Sequence, residues 1–408
     1  MKVICNSCQN KDIEESSDFK SFDLSSIPAV DLFQTSKSES LALKRFPLGI
    51  YICRYCNLIQ IKHSPPPQEF YETYIYESSS SPDMESNFME LVNDISGHLN
   101  FANKILKVLD IGCNDGLLLS KIAGKFPNHQ LYGTDPSPVS KSTQITKFKL
   151  FPEYFPGKLT QSSGPYDLIT ATNSFAHIPN IGEVTNKVHE LLTDTGLFVI
   201  EVSDFEQMVS IGAWDYIYHE HLYYYTKRSI KTLLEKSNLS VIKIIPINTK
   251  GGSIRVIAKK NVSNYKSDKK DNSICLDSLN QDIILFDKIK LSYMKCLESY
   301  QKIDSSLSSS SKVYGYGACA TASVTQAQHG LFKKIECIFD DNKKRQNLWS
   351  PSYGVQVKAL ENIIFKSEDI IIVFAWRFID SISCNIRNYC EINNMPIPKI
   401  INSMHPEF

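Results

Sequence analysis

Between positions 216 and 225 the chain reads YIYHEHLYYY. His219 and His221 flank Glu220, so three side chains that can move protons stand in a row, with tyrosines on both sides. A solvated face has no use for so many rings, and a packed core does not select His-Glu-His. Burial among rings strips water from such groups and perturbs their pKa values, which is what acid–base chemistry near neutrality requires. The competing reading is an aromatic packing segment whose histidines are satisfied structurally. The flanking sequence decides for catalysis, because a nucleotide-type fold signature lies upstream.

The elements that must position these groups belong to a chain of 408 residues, long enough for two or three domains. Hydrophobic residues make up 42% and charged residues 22%, the balance of a soluble globular protein. Lys plus Arg and Asp plus Glu both number 44, which argues against a nucleic-acid surface. The N-terminus lacks the apolar core of a signal peptide, and no run approaches the roughly 20 apolar residues of a membrane span. The expectation is a cytoplasmic protein with reduced thiols and a small-molecule substrate. Its oligomeric state stays open, with a monomer as the working assumption.

The 11 cysteines are unevenly spread. Cys5 and Cys8 form one C-x-x-C pair, and Cys53 and Cys56 a second. Four thiolates suit the closed tetrahedron of structural zinc, although the separation of the pairs exceeds common ribbon spacing. His63 is a weaker substitute ligand. Residues 1–66 therefore read as a small domain in which a metal compensates for a thin core. Beyond the prolines at 65–67, strand-like and helix-like stretches alternate. KVLDIG, HQLYGTD, YDLITATNS and GLFVIEVSD predict buried strands, and IGEVTNKVHELL predicts a helix between two of them. This pattern predicts a doubly wound parallel sheet over about residues 90–205, inside a central α/β domain at 67–240. A second α/β pattern, KVYGYGACATASVTQAQ, IECIFDDN and DIIIVFAWR, predicts a C-terminal α/β domain within 241–408. A long helix over 276–299 precedes it.

The segment LDIGCNDG at 109–116 resembles the first motif of the S-adenosylmethionine-dependent methyltransferases, an acid and a glycine-rich turn after the first strand. Gly112 and Gly116 allow the backbone to approach a ligand closely, around Asn114. Asp110 or Asp115 can hold the amino group of a methionine moiety. Asp135, followed by Pro136, ends the second strand, where an acid accepts ribose hydroxyls. Asn173 lies at the carboxyl edge of the third. No G-x-G-x-x-G is present, and an acid in the turn suits a sulfonium better than a pyrophosphate.

In the order of its parts the whole chain resembles the sugar C-methyltransferases that act on nucleotide-linked 4-keto deoxysugars. The matching strings are CNSC and CRYC, YIYESSSS, LDIGCNDG, GTDPS, TNSFAHI, IYHEHLYYY, KGGSIRV and YGYGA. The resemblance implies a structural zinc, a central Rossmann-like methyltransferase domain and a C-terminal nucleotide-sugar-binding domain. It implies that His221 is a general base, that Tyr218 and Glu220 contact the sugar or its developing oxyanion, and that His177 lies near the departing proton. Tyr76 and Tyr74 would belong to an aromatic lid. His219, Gly251, Gly252, Ser253, Arg255, Gly315 and Gly317 would line the substrate side. The expected reaction is methylation of carbon 3 through an enolate. Departures fall at Cys113, after Ala318 and at Arg377, where a neutral amide is expected. Two other readings stay open: O- or N-methylation of a small metabolite, and a non-catalytic, zinc-containing interaction protein.

Overall fold

The computed structural model describes residues 4–9, 20–66, 77–99, 104–142, 148–261, 276–351 and 353–406. The N-terminal part contains β1 (Ser21–Ile27), α1 (Lys37–Leu41), β2 (Phe46–Ile52) and β3 (Ile59–Ile61). Next come α2 (Pro82–Ser96), β4 (Lys107–Ile111), α3 (Leu117–Lys125), β5 (Gln130–Thr134), α4 (Pro138–Ser142), β6 (Lys149–Phe151), α5 (Lys158–Ser163) and β7 (Tyr166–Thr172). The chain continues with α6 (Ile181–Leu191), β8 (Leu192–Ser203), α7 (Phe205–Ser210), β9 (Tyr223–Tyr224), α8 (Lys227–Lys236), β10 (Leu239–Ile247) and β11 (Ser253–Lys260). The C-terminal part holds α9 (Leu276–Ser306), β12 (Val313–Tyr316), α10 (Ala320–Gln328), β13 (Ile335–Phe339), β14 (Val357–Lys358), β15 (Ile370–Val373), α11 (Ile379–Ile392) and β16 (Lys399–Asn402).

Three sheets result. The central one has seven strands in the order β10-β11-β8-β7-β4-β5-β6. Every residue of β7 is buried, as expected of a parallel strand covered on both faces. Helix α6 shows why the covering holds. Its buried Ile181, Val184, Thr185, Val188 and Leu191 recur at helical spacing, giving one apolar face to the sheet. The C-terminal sheet is parallel throughout, in the order β14-β13-β12-β15-β16. The N-terminal sheet has the order β1-β2-β3-β9, and β9 comes from far downstream in the chain. No described helix is long and apolar enough to cross a membrane.

The central sheet crosses the boundary expected at 240/241. β10 and β11 form a hairpin, and β11 inserts antiparallel beside β8, pairing Ser253 with Ser203 through Lys259 with Leu197. A strand's own residues do not state its partner, so the expected parallel sheet ends in this mixed edge. Likewise, the helix expected over 276–299 runs on to Ser306.

A buried ionic cluster fastens that edge. Arg255 on β11 is only 1% exposed. Its Nε donates to Glu201 Oε1 on β8 at 2.7 Å, and a second nitrogen pairs with Asp94 on α2. Its third nitrogen donates to the Asn87 carbonyl at 3.1 Å and to Asn87 Oδ1 at 2.9 Å. Asn87 Nδ2 then donates to Glu201 Oε2 at 2.8 Å. Every guanidinium nitrogen is held by protein and Arg255 lines neither cavity described below, so Arg255 is a scaffold residue; the expectation that it lines the substrate is corrected. Replacing Arg255 with methionine strands the Glu201 carboxylate in the core, and we expect a loss of about 3–5 kcal/mol in urea unfolding. A loss below about 1 kcal/mol would show that the cluster does not hold the sheet edge.

Candidate active site

The turn after β4 shapes the first cavity. Gly112 has φ +71°, and a Cβ there would lie 2.4 Å from Ser174 Cβ. The close crossing of the β4 and β7 turns therefore demands glycine. Around this crossing opens a cavity of about 460 Å³ at the carboxyl ends of β4, β5, β6 and β7. Gly112, Asn114, Asp135, Pro136 and Asn173, all named above as candidate donor contacts, line it together with Glu153 and Tyr154. Asp135 Oδ2 accepts from the Asn114 N–H at 2.9 Å and Oδ1 from the Ser137 N–H at 2.8 Å. These bonds fix the carboxylate while each oxygen keeps a further lone pair for a hydroxyl. Asn173 Nδ2 is buried and has no partner among the described residues, a donor left for a ligand.

Three expected cofactor contacts are not on this wall. Asp110 is buried in β4 and accepts from Thr170 Oγ1 at 2.7 Å; burial raises its pKa to about 7. Asp115 accepts from the Ser79 N–H at 2.8 Å and from the Leu117 N–H at 3.3 Å, so it ties the start of α3 to the segment before α2. Gly116, at φ +75°, is the left-handed residue that opens α3. Motif position alone could not separate these supports from lining residues. Glu153 was missed because it lies in a turn with no periodic signal. Its carboxylate accepts from the Thr160 N–H at 2.8 Å, holding the start of α5 at the cavity rim.

A second cavity of about 400 Å³ lies against the first. Its walls come from the 216–225 run, from the hairpin between β10 and β11, and from the carboxyl ends of β12 and β15. Tyr218, His221 and Tyr216 face Cys319, Thr321, Trp376 and Arg377 across it. Met84, Asn173, His177 and Lys250 line both cavities and form the seam between them. Gly315 and Gly317 do not line it. A Cβ on Gly315 would meet Phe374 at 2.7 Å, and Gly317, at φ +94°, passes Ala375, so both allow β12 to pack against the segment after β15. The wall begins two residues later, at Cys319.

Backbone pairing sets the pose of the proton-moving groups. β3 pairs with β9 through Ile59 with Tyr224 and Gln60 with Tyr223. The Leu222 N–H donates to the Ala176 carbonyl at 2.9 Å, and the Ile61 N–H donates to Leu222 at 3.0 Å. His221 is thereby stitched beside His177, with ring centroids 5.1 Å apart. His221 Nδ1 lies 3.2 Å from the Tyr216 carbonyl, which only accepts, so this nitrogen carries the hydrogen. Nε2 then accepts from the Tyr218 hydroxyl at 3.0 Å. Burial lowers the His221 pKa to about 4, and Lys250 pushes the same way. Burial also lowers that of His177. Both imidazoles are neutral at pH 7.

Glu220 and His219 do not line either cavity among the described residues, against expectation. Burial, with repulsion from Asp31, raises the Glu220 pKa to about 8, so its carboxyl is mostly protonated at neutral pH. His219 donates from Nε2 to the Pro47 carbonyl at 3.0 Å, fastening the run to the N-terminal sheet. His219 and Glu220 occupy a tight turn that the His221 N–H closes on the Tyr218 carbonyl at 3.0 Å, so the chain reverses there and His221 meets the cavity while the two turn residues point to the scaffold. Gly251, Gly252 and Ser253 are also off the wall. The expected lid residues Tyr74 and Tyr76 lie outside the described residues.

Away from the cavities, Cys5, Cys8, Cys53 and Cys56 place all four sulfurs within 4.8 Å of one another. Cys5 and Cys56 sulfurs are 3.5 Å apart and those of Cys8 and Cys53 3.7 Å apart. Thiolates about 2.3 Å from a tetrahedral zinc stand about 3.8 Å from each other, so the donor set fits that ion. Gln60 Nε2 donates to Cys5 Sγ at 3.1 Å, an outer partner of the kind that steadies metal-binding thiolates.

Two family models match the chain. Residues 83–244 match a methyltransferase domain, and residues 248–398 match a C-methyltransferase C-terminal domain. C-methyltransferase NovU of Streptomyces niveus is 24% identical over 377 residues, 88% of each chain. Among solved structures, an S-adenosylmethionine-dependent methyltransferase of Clostridium acetobutylicum ATCC 824 is 13% identical, with 43% of this chain and 92% of that chain covered and a TM-score of 0.34. The magnesium protoporphyrin IX methyltransferase of Synechocystis PCC 6803, solved with bound S-adenosylhomocysteine, is 16% identical, with 43% and 83% covered and a TM-score of 0.35. A methyltransferase domain joined to a C-methyltransferase C-terminal domain, matched along most of its length by NovU, supports an S-adenosylmethionine-dependent C-methyltransferase.

Proposed function

We propose that the protein methylates carbon 3 of a nucleotide-linked 4-keto deoxysugar through an enolate, with His221 as the base. The observation that carries this reading is the shared seam. A cavity suited to the methyl donor meets a second cavity, and His221 reaches the second one where Asn173, His177 and Lys250 border both. When bound, S-adenosylmethionine supplies an electrophilic methyl on a sulfonium. Asp135 and Asn173 would hold that donor in the first cavity.

His221 Nε2 takes the proton from the carbon beside the ketone once Tyr218 releases it. The C–H electron pair moves into a C=C bond, and the carbonyl pair moves onto oxygen. The enolate carbon then takes the methyl, and the C–S pair stays on sulfur. The Tyr218 hydroxyl, freed from Nε2, becomes a donor for the substrate oxygen. Burial makes the imidazole a weak base in the free protein. The enolate formed beside it offsets this by stabilising the new imidazolium. A carbon nucleophile of this kind requires an activating ketone, which favours a keto sugar over a hydroxyl or amine acceptor. The second α/β sheet, with its carboxyl edge on the substrate cavity, supports a nucleotide handle.

We also propose that the four cysteines hold one structural zinc ion. The N-terminal sheet carries β9 and therefore the pose of His221.

Incubation with S-adenosylmethionine and a panel of nucleotide-linked 4-keto deoxysugars should yield a carbon-methylated product, and unmethylated sugar recovered from deuterated water should carry deuterium at the carbon that is methylated. Methyl transfer to oxygen would sink the enolate route. His221→Ala should lower kcat at least about 100-fold while calorimetry finds donor affinity unchanged. Because His221 is neutral down to about pH 4, kcat/KM should stay level from pH 7 to 5. A fall centred near the ordinary histidine value of about 6.5 would remove His221 as the base.

Purified protein should contain one zinc per chain by metal analysis. Cys56→Ser should lose the ion and turnover but keep donor affinity, because none of the described residues before Ser78 lines the first cavity. Full zinc content in this variant would contradict the assignment.

A further inference from the structure

Enolate chemistry creates a negative charge, and the histidines around it are neutral. Among the described residues lining the substrate cavity, the cationic side chains are Lys250 and Arg377. Arg377 lies on the outer wall with Phe378, its guanidinium 5.6 Å from that ring. Lys250 alone of the two also lines the donor cavity, beside Asn173 and His177. It therefore stands where substrate and methyl donor must meet.

The hairpin between β10 and β11 is built to place it there. Lys250 has φ +51° and ψ 33°, a left-handed pose that is unfavourable for a residue with a Cβ. Gly251 follows at φ +85°, and a Cβ there would lie 2.9 Å from the Tyr216 hydroxyl. Gly252 follows at φ +113°, with Gln207 Cβ 2.8 Å from its Cβ position. Ser253 Oγ donates to the Thr249 carbonyl at 3.1 Å and closes the turn. Two residues on, Arg255 bolts β11 into the buried cluster with Glu201 and Asp94. The string KGGSIR is thus a mount: its glycines, serine and arginine contact protein, and its lysine reaches the cavities. Lys250 is still exposed at the hairpin tip, yet partial desolvation of its ammonium by the surrounding protein, with the nearby Arg377, lowers its pKa to about 8, so the ammonium is mostly charged at neutral pH.

We propose that Lys250 is a catalytic residue that stabilises the enolate oxygen from the seam between the cavities. This rests on the enolate reading above. His221 takes the proton, the carbonyl pair moves to oxygen, and the Lys250 ammonium faces that oxygen without giving up its own proton. The oxyanion collapses back to a carbonyl as the carbon takes the methyl. A fixed cation aimed at charge that develops only during reaction acts on kcat rather than on substrate binding.

The test uses the full chain and the panel sugar that the wild type methylates. Lys250→Met keeps the length and apolar stem of the side chain, and Lys250→Arg restores a cation. Deuterium wash-in beside the ketone is followed with S-adenosylhomocysteine in place of the donor. We expect Lys250→Met to lose about 100-fold or more in both wash-in and kcat, with KM and donor affinity within about threefold of wild type. Lys250→Arg should recover at least about tenfold of that loss. Wild-type wash-in in Lys250→Met would overturn the role, as would a raised KM with unchanged kcat, the signature of a residue that only binds a substrate anion. A wild type that methylates without wash-in at that carbon would instead overturn the enolate reading itself, and Lys250 would lose its role with it.

Discussion

The placement of β11 beside β8 governs the molecule, and one buried ion pair secures it. Arg255 and Glu201 face each other from these two strands, with Asp94 and Asn87 of α2 completing the shell. A lone charge in that position would be costly, but every nitrogen of the guanidinium has an acceptor. Geometry this specific admits one register. A slip by one residue would turn Arg255 to the opposite face of the sheet. Because the register is fixed, the preceding turn is fixed, and with it the approach of Lys250 to the cavities.

The two cavities meet where separate sheets converge. The central sheet offers the carboxyl ends of β4 to β7, and the C-terminal sheet offers those of β12 and β15. Parallel sheets leave clefts at such edges because adjoining connections diverge there. Set against each other, two clefts make one continuous site with two compartments. The N-terminal sheet adds no wall to the first compartment. It contributes by taking β9 as its fourth strand, which turns a loop rich in rings into a fixed backbone.

Electrostatics follow from this enclosure. The same burial lowers the pKa of both cavity histidines and raises that of Glu220. The imidazoles at the cavities are neutral and the Glu220 carboxyl behind them is mostly protonated, so in the proposed reaction His221 would be free to take a proton.

Periodicity alone revealed the alternation of strands and helices, because burial on two faces or one leaves an apolar signature. The glycine turn at 112, the acid at 135 and the paired cysteines were equally legible, since their chemistry needs those residue types at those spacings. Family resemblance drew attention to KGGSIR and YHEH but not to which member of each string faces a ligand. That was decided by tertiary structure. Arg255 became a bolt and Lys250 a wall residue because β11 pairs with β8. His221 entered the cavity, while His219 and Glu220 did not, because β9 pairs with β3. Such pairings join residues far apart in the chain, and no local run of side chains encodes the partner that will fix its orientation.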